Sequence, residues 1–269
     1  MHIILAVTAT HDRFLSAGPN NPKYLCIETY HGAQGAALLN QKLSSPIRGQ
    51  DRDAIWSSAA LLGIAGMTSL EASNSTAIWP LKPYEPTDLD WLNMTVGKVA
   101  MWRATDPTRP DSIFHNMADE YHLLMEPPTL CGVEEMPIEF VRLCSLDGPL
   151  PLDQNPYYFA VSSLSQLLQT EDPHDSMPRH LKFLSLMGPE FRSLLLCRDP
   201  RALLIFAYWY ASISGSVWWI SRRAQLECQA ICLYLENNHA GEEDIQIMLT
   251  VPKIKCGLIS QAVSIPARY

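Results

Sequence analysis

D-P-R-A-L-L-I-F-A-Y-W-Y-A-S-I-S-G-S-V-W-W-I-S-R-R, the run from Asp199 to Arg223, decides the fold. Asp199 is a good N-cap and Pro200 suits the first helical position, so the run predicts a helix from there to about Ser214, loosened at Gly215. Every side of that helix from Ala202 to Ile213 is apolar or aromatic. A helix without a polar face is buried, either as the central rod of an all-helical core or as a membrane span. Ser212, Ser214, Gly215 and Ser216 interrupt the uncharged stretch near its middle and no second apolar span accompanies it, so the core rod is expected and a membrane span is not. Tyr208, Trp209 and Tyr210, with Trp218 and Trp219 beyond, bring large apolar bodies with polar tips into one neighbourhood. Such a group builds either a pocket for a flat apolar ligand or an ordinary aromatic core.

Outward from this rod, apolar residues recur at helical spacing and no alternating strand pattern appears, which gives an all-α chain. Helices are expected over Met1–Ser16, Lys23–Ser45 and Ala54–Leu70, the third apolar on most sides and so deeply buried. Further helices are expected over Asp88–Thr105, Asp111–Met125, Pro137–Leu146 and Asn155–Thr170. The loop from Glu71 to Thr87 is extended by its prolines and held to the body by Trp79 and Tyr84. Glu171 to Met177 reads as a polar linker, followed by short helices over Leu181–Met187 and Pro189–Cys197. Trp218–Asn238 makes the last long helix, with Leu226, Ala230, Leu233 and Tyr234 as its buried stripe and Arg222 and Arg223 flanking it. The expected layout is one all-helical domain over residues 1–250 around the central rod, then a tail over 251–269 whose V-P-K-I-K-C-G-L segment has no assigned structure.

The chain has 269 residues, 47% hydrophobic and 18% charged, with a net charge of -8 and a pI near 5.4. Low charge density argues against disorder, and the acidic balance without a basic stripe counts against nucleic acid as a direct partner. Arg222-Arg223 and Lys253 with Lys255 are pairs, not patches. Seven Cys at scattered positions fit reduced thiols. Met1 to Val7 lacks a basic leader region, so a cytoplasmic or nuclear chain is expected. The sequons at Asn74 and Asn93 then read as chance matches.

Chemical motifs are few. Cys228 and Cys232 fall one helical turn apart, but no C-x-x-C or matching His pair completes a metal site, and no metal or cofactor is expected. His115, Asp119 and His122 would share one helix face, where a solvated surface is the ordinary reading. His11 and His31 occur on apolar helices, which is usual for a satisfied core histidine, though either could orient a polar ligand group. The chain has no G-x-S-x-G elbow, phosphate-binding glycine loop, dinucleotide fingerprint, H-E-x-x-H or aspartate-rich magnesium motif. Any catalysis would be cofactor-free.

A set of ordered motifs resembles the C-terminal regulatory domain of fungal binuclear zinc-cluster transcription factors, the family that includes sterol-sensing regulators. The motifs are L-A-V-T-A-T-H ending at His11, Tyr30-His31 with Ala36 to Leu39 and Leu43, Asp53-Ala54-Ile55-Trp56 with Leu61-Leu62, the run from Ala202 to Trp209, Trp218-Trp219-Ile220, and Ile231 to Leu235. The resemblance implies an all-helical domain with an internal apolar pocket. Its walls would come from Trp56, Met67, Tyr208, Trp209, Trp218 and Trp219. The family's DNA-binding cluster of paired C-x-x-C segments is absent from this sequence, which leaves a fragment, a domain recruited to another task, or the expected reading, a stand-alone module for an apolar small molecule of sterol, terpenoid or polyketide type. A second copy, or a full-length zinc-cluster factor, is the further partner implied. The alternative is a cofactor-free cyclase or pericyclase of fungal secondary metabolism. There the pocket would fold a reactive substrate, and His31, Tyr30 or Arg222 would polarise a carbonyl.

Overall fold

The computed structural model describes residues 1–16, 22–70, 72, 74–117, 131–169 and 173–260, and every regular element in them is helical. Among these residues no helix is long and apolar enough to cross a membrane. The chain divides into two compact units. The first comprises Met1–Glu71, Thr87–Glu126 and Trp218–Ile220; the second comprises Ala72–Pro86, Pro127–Val217 and Ser221–Tyr269.

In the first unit α1 (His2–Leu15) packs along α2 (Pro22–Leu43), and both lie against α3 (Arg52–Thr68), which also pairs with α4 (Asp90–Thr105). Ile3, Ala6 and Ala9 recur at helical spacing and form the buried face of α1. Helix α3 buries only Ile55, Trp56, Gly63 and Met67, so the deep burial expected for it is confined to one stripe. Its glycines let α4 come close: a Cβ on Gly63 would lie 2.1 Å from Lys98 Cε, and one on Gly66 2.3 Å from Met94 Sδ. The helix expected from Asp111 does not begin there. The Asp53 carboxylate accepts from Arg109 Nη2 (2.7 Å), Ser112 Oγ (2.9 Å) and the Ile113 N–H (3.1 Å), fixing this stretch as turns that lead into a 3₁₀ segment, His115–Met117. Residues 118–125 of that expected helix lie outside the described residues.

The second unit holds α5 (Ile138–Leu143), α6 (Tyr158–Leu168), α7 (Pro173–Leu186), α8 (Pro189–Leu196) and α9 (Pro200–Ile213). It continues with α10 (Trp218–Asn238, of which the first three residues belong to the first unit), α11 (Glu243–Met248) and α12 (Thr250–Lys255). The cap expected at Asp199 is present, its carboxylate accepting from the N–H groups of Arg201 (3.1 Å) and Ala202 (2.9 Å). Residues 202–211 are all buried, and α6, α7, α8, α11 and α12 pack against α9.

Three expectations fail in this unit. Most of the polar linker over 171–177 is the start of α7, because Pro173 suits a first turn and the buried Phe183 and Leu184 farther along anchor the helix. Of the stripe expected for α10 only Ala230 is buried, while Leu226, Leu233 and Tyr234 are half-buried. The buried stripe runs through Ala224, Cys228, Ile231 and Leu235 and includes Arg223 and Glu227, whose charges neutralise each other inside. In the 72–86 segment Trp79 is buried as expected, whereas Tyr84 is 56% exposed. The unassigned V-P-K-I-K-C segment is largely α12, which lies on α9.

Candidate functional site

The aromatic side chains of α9 are buried, Phe206, Trp209 and Tyr210 completely. Trp209 is fully buried, stacks with Phe183 (5.6 Å between centroids) and Phe206 (5.4 Å), and donates its indole N–H to the His180 carbonyl at 3.1 Å. His180 Nε2 lies 3.0 Å from Ser212 Oγ, which itself donates to the Trp209 carbonyl at 2.8 Å. With the hydroxyl proton committed there, Nε2 carries the imidazole proton and donates. Tyr208 meets Phe140 edge-on (5.0 Å) and donates to the Met248 carbonyl at 2.8 Å, and burial pushes its phenol up to about 12. Tyr210 donates to the Glu227 carboxylate, which Arg223 pairs from one helical turn away. Burial, with the Glu227 charge beside it, raises the Tyr210 phenol well above its ordinary range, so it stays a donor. Tyr208 and Trp209, nominated from the sequence for a ligand, are thus tied into this network.

The other nominated residues divide between the units. Trp56 and Met67 are buried in α3, Trp56 edge-on to Trp102 at 5.1 Å. Trp218 and Trp219 are half-buried in the same unit. Trp218 sits 4.7 Å from the His11 ring and 5.9 Å from Phe14, which is 52% exposed. Nearby in sequence, His31 Nδ1 lies 2.8 Å from His2 Nδ1, and the exposed Tyr30 ring stands 5.0 Å from His31. One proton serves that nitrogen pair, so one imidazole donates and the other accepts. Arg222 is in the second unit and gives its guanidinium to the Ala72 carbonyl at 2.9 Å. The structure therefore brings Tyr30 together with His31, and His11 together with Trp218.

His115 bonds the Thr108 carbonyl through Nδ1 at 2.7 Å, while Asp119 and His122 lie outside the described residues. A cleft of about 320 Å³ in the second unit, between Asp153, Asn155, Phe159, Glu190 and Phe191, contains none of the nominated residues. The group that sequence reading missed is sulfur. Cys256, just past α12, joins Cys228 and Cys232 of α10, and the three sulfurs lie within 4.8 Å of one another. The one-turn spacing of the first two was visible; the third sulfur is distant in sequence.

Compared with protein-family models, curated proteins and solved structures, the chain matches none.

Proposed function

We propose that this chain is a ligand-binding module of the zinc-cluster-regulator type that takes an apolar small molecule of sterol or terpenoid class. The observation that carries this reading is the half-exposed aromatic group of His11, Phe14 and Trp218, whose rings offer an apolar surface beside polar nitrogens. The all-helical architecture and the ordered motifs support it. Of the seven tryptophans, Trp56, Trp79, Trp91 and Trp209 are buried, which leaves Trp102, Trp218 and Trp219 for a ligand to reach.

Titration with sterols and terpenoids is therefore expected to quench part of the tryptophan emission and raise the melting temperature. Trp218→Phe is expected to remove most of the quenching, and Trp209→Phe little of it. Unchanged emission and melting across the ligand series would defeat this reading. A cofactor-free cyclase is the second reading, favoured by the His2–His31 pair beside Tyr30, which provides a proton donor at an exposed aromatic edge. Chromatography of the same titration mixtures separates the two, because a cyclase converts what it binds.

A further inference from the structure

We propose that Cys228, Cys232 and Cys256 form a three-sulfur site for a trivalent thiophilic species of the arsenite class. The inference rests on residues other than those of the apolar-ligand reading and stands independently of it.

Cys228 and Cys232 are one turn apart on α10, so their sulfurs share a face, and Cys256 follows the last residue of α12. All three are buried, and their sulfurs lie within 4.8 Å of one another. Bonds of about 2.3 Å to a pyramidal trivalent centre set its three sulfurs roughly 3.5 Å apart, so a contraction of at most about 1.4 Å closes the triangle. The position of Cys256 is fixed on two sides: Gln229 Nε2 donates to its carbonyl at 2.8 Å, and Lys253 at the base of the same turn pairs with Glu236 of α10. Cys228 Sγ donates to the Ala207 carbonyl at 3.4 Å and Cys256 Sγ to the Lys253 carbonyl at 3.6 Å, so backbone oxygens orient two of the three thiols.

Charge selects the occupant. Zinc prefers four ligands, and with three thiolates it leaves a net negative charge; copper(I) with three leaves a larger one, and either charge would sit in a buried site. Arsenic(III) leaves none. As(OH)₃ and three thiols give As(S-Cys)₃ and three waters: three As–O bonds break, three As–S bonds form, each thiol proton leaves with a hydroxide as water, and arsenic stays trivalent. Reactants and product are neutral, as a low-dielectric site requires. Entry needs local opening of α12, a six-residue helix held by its packing on α9 and α11, by the Gln229 bond to the Cys256 carbonyl and by the Lys253–Glu236 pair. Once bound, arsenic ties α12 to α10 by covalent bonds.

The test uses the full chain kept reduced with a phosphine, titrated with arsenite and followed by native mass spectrometry, thermal melting and arsenic-edge X-ray absorption. One arsenic per chain, three sulfur neighbours and a raised melting temperature are expected. Cys26→Ser/Cys197→Ser, which removes the exposed thiols, is expected to bind as the parent does. Cys256→Ser is expected to lose about 100-fold or more in affinity, beyond the 10- to 100-fold typical of outer-shell changes. Should Cys256→Ser not fold, the absorption spectrum of the parent decides: two or fewer sulfurs per arsenic overturn the proposal. So does arsenic retained by folded Cys256→Ser, arsenic lost from the Cys26→Ser/Cys197→Ser protein, or no uptake at all.

Discussion

Lys98 lies on α4 with its methylene stem across Gly63 of α3, and burial alone lowers its pKa from 10.5 to about 8. The fold therefore resists the proton: between those two values the unfolded chain binds more protons than the native one, and stability rises with pH across that window. Below pH 8 the full penalty of the buried ammonium is present. Lys98→Met removes it, and is expected to stabilise the protein at pH 7 by about 1 to 3 kcal/mol, with the gain shrinking as pH rises through the window. Urea unfolding of both proteins at pH 7 and pH 10 checks this; an equal gain at both would show that packing and not charge is responsible.

At the scale of the element, α9 depends on one residue before its first turn. The Asp199 carboxylate satisfies two of the N–H groups that any helix start leaves open, and it also accepts the Tyr157 hydroxyl at 3.0 Å. Asp199→Ala is expected to cost about 2 kcal/mol, about half from the cap and half from the phenol left without its acceptor. Asp199→Asn keeps both acceptor roles and is expected to cost clearly less. Chemical denaturation of the two variants measures the difference, and equal losses would mean that the carboxylate charge, not its acceptor geometry, holds the helix start. This helix was legible because its cap, its first-turn proline and its apolar content are all local. The turns over 109–113 were not, since the bonds to Asp53 that fix them span more than 50 residues of chain.

Across the whole molecule the formal charge is -8, and the basic residues form no run in the sequence. Phosphate binding draws its affinity from clustered cations, so labelled duplex DNA at low salt is expected to show no rise in anisotropy at micromolar protein, and a salt-sensitive rise would overturn that. Composition and the 3.6-residue period by themselves determined that the chain is helical and where most helices lie, because capping, helix period and chain breaks act over a few residues. Only the tertiary structure decided which aromatics keep an exposed edge, that Arg223 and Glu227 turn inward to meet Tyr210, and that Cys256 completes a sulfur triad with Cys228 and Cys232. The physical reason is common to all three. A side chain's neighbours across helices are set by packing between segments far apart in sequence, and a helical period shows which face turns inward without showing what that face will meet.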